Sequence, residues 1–83
     1  MSRLEKLYLK IASAPASTRF DDLVQLIEAL GFEEERHRGS HRTFRHPDRV
    51  ALYVNLQPRR GEAKEYQVRQ VLAMIQREHL MRW

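Results

Sequence analysis

His41 directly follows Gly39-Ser40, a pair of residues that suits a tight turn and would leave the ring exposed at the start of a strand. An imidazole with its ordinary pKa of roughly 6.5 exchanges a proton with a ribose 2′-hydroxyl, or with a leaving oxygen, close to neutral pH. Arg42, Arg45 and Lys64 are cations within the same stretch, able to hold a phosphate and offset charge developing on it. Tyr53 offers a ring on which a base can stack, an interaction worth about 1–3 kcal/mol where it forms. The same residues also read without chemistry. A surface histidine in a basic patch binds phosphate passively, and an aromatic in a strand often just covers the sheet. Residue types alone leave both readings open.

Two further histidine arrangements carry less. His37 and His41 would share one face of a helix, but Gly39-Ser40 argues against a helix there. No Asp or Glu lies between them to complete a site, so no metal site is expected. His46-Pro47 reads as the end of a strand.

Charge is unevenly spread. The net of +4 divides into −3 over residues 1–35, +6 over residues 36–64 and +1 over residues 65–83. Three of the four histidines fall in the basic middle block. A basic block between less basic flanks suits a polyanionic partner, and it equally suits a solvated face that keeps the chain soluble. Cysteine is absent, which removes disulfides and thiolate metal sites. No apolar run approaches the roughly 20 residues of a membrane span. The first residues, Met1 to Lys6, lack the apolar centre of a signal peptide, so a cytoplasmic location is expected.

The elements that must position these residues follow from periodicity. Leu4, Leu7, Tyr8 and Ile11 form the stripe of an amphipathic helix, which fails in the connector Ser13–Thr18. A second helix is predicted from Phe20 to Leu30, with Asp21 and Asp22 in its first turn and Gly31 as its stop. Three strands fit the next stretch: Phe32–Arg38, His41–His46 and Val50–Gln57. Gly39-Ser40 joins the first two as a type II′ turn, with glycine at the first central position. Alternation turns Phe44, Val50, Leu52, Val54 and Leu56 inward. His41, Thr43 and Arg45 then face outward beside Tyr53 and Asn55. Pro58–Gly61 reads as a loop. The last helix is predicted from Lys64 to His79, with Val68, Val71, Leu72 and Ile75 inward. Met81 and Trp83 read as an anchor at the helix end or an exposed contact. The expectation is a single domain over residues 1–83, an α+β fold in the order α-α-β-β-β-α. Its antiparallel three-stranded sheet packs on helices and leaves its other face open.

The run Gly39-Ser40-His41-Arg42-Thr43-Phe44-Arg45-His46-Pro47, preceded by Gly31-Phe32, resembles the Gly-Ser-His-x-x-Phe-x-His-Pro signature of the HicA (YcfA-like) mRNA interferase toxins. The helix before it and Lys64–Val68 are similar too, so that the resemblance covers about residues 20–78. It implies a double-stranded-RNA-binding-domain-like fold and metal-independent cleavage of mRNA, with no cofactor. It also implies a HicB-type antitoxin that covers the site. By resemblance His41 is the catalytic histidine, and Gly39, Ser40, Arg42, Arg45, Tyr53 and Lys64 are the residues expected at RNA. Two features depart from the pattern. Residues 1–18 add a helix and connector that compact members lack, and the third strand ends in Asn55-Leu56-Gln57-Pro58 where many members place another histidine. A non-catalytic RNA-binding or protein-interaction module of the same fold is the alternative.

Overall fold

A computed structural model describes residues 2–81; the expectation for Trp83 lies outside the described residues. Helix α1 spans Arg3–Ser13 and starts on a capping box. The Ser2 hydroxyl accepts from the Glu5 N–H, and the Glu5 carboxylate accepts from the Ser2 N–H. The connector contains a 3₁₀ turn at Pro15–Ser17, with proline supplying the fixed φ that suits a helical first position. Helix α2 runs over Phe20–Ala29 and helix α3 over Glu65–Arg77. Both helices end in Schellman motifs. For α2, Gly31 takes a φ of +105°, with Phe32 N–H donating to Ile27 C=O and Gly31 N–H to Glu28 C=O. For α3 the left-handed position is filled by His79, at φ +52°.

The sheet order is β1(Glu33–Arg38), β2(His41–Arg45), β3(Tyr53–Leu56), all antiparallel. The expected α+β order is therefore present. The Gly39 φ of +56° and the pairing of Arg38 with His41 give the two-residue turn that the glycine signalled. Three expectations need correction. The third strand begins at Tyr53, not Val50, because the chain needs Pro47–Ala51 to reverse direction after His46. His46 N–H donates to Leu52 C=O and closes that loop, leaving Val50 65% exposed at its tip instead of in the core. The predicted Pro58–Gly61 loop is a hairpin of β4(Pro58–Arg59) and β5(Glu62–Ala63). Arg60 and Gly61 form its turn at φ +54° and +81°, the two positive values a type I′ turn demands. The tail expectation resolves for Met81, which is buried against the core.

The helices lie on one face of the sheet. Phe44, Leu56, Leu23, Leu26, Ile27, Val68 and Val71 are almost wholly inaccessible and form one cluster. Helix α1 contributes Tyr8 and Ile11 to the same cluster, with Leu4 and Leu7 packed at its margin. Its connector and the start of α2 are also sewn to the hairpin: Ala63 N–H donates to Thr18 C=O, and Phe20 N–H donates to Gly61 C=O. Among the described residues no helix is long and apolar enough to cross a membrane.

Candidate nucleic-acid interface

The register decides which side chains share a face, because residues directly opposite on paired strands point the same way. Arg38 opposes His41, Arg36 opposes Thr43 and Asn55 lies beyond it, and Glu33 opposes Arg45 with Tyr53 beyond. These residues form the open face. The opposite set, His37 with Arg42 and Leu56, and Glu34 with Phe44 and Val54, faces the helices. A β-bulge between Glu34 and Arg36 leaves Glu35 as the extra residue of β1. His37 and His41 thus stand on opposite faces, a separation that prevents them from sharing one ion.

The predicted site residues divide into three groups. Gly39, Ser40 and His41 sit together at the β1–β2 turn, with His41 exposed. Lys64, which precedes α3, is joined to them through Gln57. The Gln57 amide donates from Nε2 to Ser40 Oγ at 3.3 Å, and its Oε1 accepts from Lys64 Nζ at 3.3 Å. The Gln57 N–H donates in turn to the Oε1 of the buried Gln67 at 3.1 Å. Arg45 and Tyr53 share the open face but lie at its far end. His41 and Arg45 are four residues apart along β2, about 13 Å at strand rise. The Arg45 guanidinium lies 4.8 Å from the centre of the Tyr53 ring and bonds Glu35 at 2.6 Å. That bond raises the Arg45 pKa.

Arg42 faces the other way. Its guanidinium makes two bonds to the Glu34 carboxylate, at 2.7 and 3.0 Å, and lies 5.5 and 5.9 Å from the Phe44 and Phe20 ring centres. The bonds from Arg42 hold the Glu34 carboxyl below its usual value, and the Arg42 pKa rises in return. Residue types did not single out Arg36 and Arg38 for the site. Both lie on His41's face, and neither has an ion-pair partner among the described residues. The two-residue turn carried the signal for Arg38, since it sets that residue opposite His41. The second histidine of the run, His46, is a packing residue. Its ring meets Phe32 edge-on at 5.3 Å, and its Nδ1 accepts from Asp48 N–H.

Set beside known families, the chain matches the model of the HicA toxin of bacterial toxin–antitoxin systems over residues 20–76. The chain belongs to the HicA toxin family. It is therefore a toxin of a toxin–antitoxin pair, with an antitoxin as partner. The HicA match begins at the first residue of α2 and ends one residue short of the end of α3, so α1 and its connector lie outside it. No curated protein and no solved structure matches. A groove of about 980 Å³ at the start of α3 is lined by Arg59, Arg60, Lys64, Tyr66 and Arg69 among others, and not by His41. His41 sits on an open surface, a geometry suited to a polymer lying across it more than to a small molecule in a cavity.

Proposed function

We propose that this HicA-family chain is a metal-independent endoribonuclease. It cleaves mRNA in the cytoplasm as one unit over residues 1–83, inhibits translation, and is silenced by a HicB-type antitoxin covering the open sheet face. The observation that carries the reading is the exposed His41 on a face whose neighbouring cations, Arg36 and Arg38, are unpaired among the described residues. The neutral imidazole takes the proton of a ribose 2′-hydroxyl as its oxygen attacks the adjacent phosphorus. The bond from phosphorus to the 5′-oxygen breaks, and that oxygen takes a proton from the imidazolium or from water. Arg36, Arg38 and Lys64 hold the phosphodiester and offset its growing charge, while Gly39 and Ser40 keep the turn tight beneath it. Arg45 and Tyr53 bind the strand further along, and Arg42 supports the sheet from behind.

The test is cleavage of single-stranded RNA by purified protein in the presence of EDTA. The His41→Ala variant should be slower by about 10²–10⁴-fold, the usual worth of a general acid or base. Undiminished cleavage by that variant, with contaminating nuclease excluded, overturns the assignment. One observation favours the non-catalytic reading: the side chain joined to Ser40 is Gln57, an amide that carries no titratable proton. Tight RNA retention with no cleavage by either protein would establish that reading.

A further inference from the structure

The hairpin of β4 and β5 carries Arg59 and Arg60 at its end, and the first turn of α3 faces it across the 980 Å³ groove. Resting on the RNA reading above, we propose that this groove is a second subsite for single-stranded RNA. In it a base stacks on Tyr66, and Arg59, Arg60 and Lys64 hold the phosphates of the strand that leaves His41.

Four observations converge on it. Tyr66 is a large ring left 57% exposed on the groove wall, more open than the intermediate burial usual for tyrosine. Its hydroxyl is held at 3.2 Å by the amide of Gln67, a polar side chain that is itself only 7% exposed. A buried amide therefore fixes the orientation of an exposed ring. The charge is of the matching sign: Arg69 is neutralised by Glu65 at 2.7 Å, but neither Arg59 nor Arg60 has an ion-pair partner among the described residues. Arg60 also occupies a position that asks for another residue. The turn requires φ +54° there, which asparagine or glycine adopts most cheaply. Unfavourable backbone at a residue of unmatched charge points to a use for that charge.

Continuity is the fourth observation. Lys64 lines the groove and is joined through Gln57 to Ser40 of the turn that presents His41. A strand crossing His41 thus meets the groove without leaving the basic surface. Aromatic stacking combined with backbone cations is the sequence-tolerant way to hold a single strand.

The experiment uses the full chain carrying His41→Ala, which slows cleavage, and a fluorescein-labelled 15-nucleotide single-stranded RNA. Tyr66→Ala should weaken binding by about 5–150-fold, the fold-change of one lost stack. Tyr66→Phe, which keeps the ring, should retain most of the affinity. Arg60→Asn should weaken binding and flatten the salt dependence by about 0.7 in log–log slope. Because asparagine suits the turn, its thermal midpoint should hold or rise, which separates lost contact from lost fold. The comparison arm is Arg36→Ala with Arg38→Ala on the open face. If that pair weakens binding while Tyr66→Ala and Arg60→Asn do not, the groove proposal is overturned and the sheet-face reading stands. If no substitution alters binding, both fall. Loss in the groove variants alone supports the groove and removes the sheet face from the RNA path. Groove variants that lose only the antitoxin would make this a protein interface and overturn the RNA subsite.

Discussion

Replacing Gly31 by alanine tests how the second half of the signature run is used. At Gly31 φ is +105°, a value L side chains rarely adopt, and a Cβ built there falls 2.9 Å from His46 Nε2. The left-handed backbone costs about 1–2 kcal/mol. The imidazole must also withdraw from Phe32 and Asp48, giving up an aromatic contact of about 0.5–1.5 kcal/mol and a hydrogen bond of about 0.5–1.5 kcal/mol. Alanine stiffens the unfolded chain and returns about 0.4–1 kcal/mol. The net is a destabilisation of about 1–5 kcal/mol, centred near 3. A chain of this size has a total of only about 4–12 kcal/mol, so the melting point should fall by roughly 12–24 °C. Urea unfolding followed by far-UV circular dichroism gives the free energy, with an unchanged m-value confirming two-state behaviour. The double variant Gly31→Ala with His46→Ala removes the ring that clashes. It should be more stable than the sum of the two single losses implies, with a coupling of about 1–3 kcal/mol. Strict additivity, or a Gly31→Ala cost below about 0.5 kcal/mol, would show that His46 does not pack against this turn and would return it to the list of residues available for chemistry.

Other outcomes follow from the same contacts. His79→Gly should stabilise the protein by up to about 1 kcal/mol, since glycine accepts the φ of +52° that closes α3; an unchanged or lower urea midpoint would count against the Schellman assignment. Glu34 has a depressed carboxyl pKa through its bond from Arg42, so its contribution is complete above the ordinary value of 4.5 and is lost as pH falls through the lower folded value. The pair is partly exposed, so Glu34→Gln should cost less than about 1 kcal/mol at pH 7 and should reduce the slope of stability against pH only on the acid side of 4.5, as read by urea titrations from pH 3 to 7. Charge reversal at Arg36 or Arg38 should flatten the salt dependence of RNA binding by about 0.7 per lost phosphate contact. Reversal at Arg3 should leave that slope alone, and reversal at Arg42, which faces Glu34, should act mainly on stability. Expressed without antitoxin, the wild-type chain should arrest growth and deplete mRNA, whereas His41→Ala at matched protein level should be tolerated and still bind the antitoxin; equal tolerance of both removes the nuclease reading.

Much of this architecture is legible in local chemistry. The stripe Leu4-Leu7-Tyr8-Ile11, the Gly31 stop and the Gly39-Ser40 turn each act over a few neighbouring residues, and each stands where its pattern places it. The turn also fixes the start of the pairing, which sets His41 on the open face opposite Arg38. Alternation failed at Val50 because an apolar residue in a tight loop looks, in one dimension, like the next residue of a strand. The hairpin of β4 and β5 was invisible because two-residue strands have no period to read, and Arg60 is not a residue that announces a left-handed turn. The partners of the arginines required the tertiary structure. Arg42 and Arg45 look alike in the chain, yet the pleat sends one behind the sheet and the other onto its open face, and the bulge at Glu35 gives each its own carboxylate. The bridge from Ser40 through Gln57 to Lys64 spans residues from the β1–β2 turn, the end of β3 and the start of α3. Residue type and spacing named His41 as the group that could move a proton. Which cations remain free beside it depends on which carboxylates the folded sheet brings within reach of each arginine, a matter of three-dimensional distance that sequence separation does not encode.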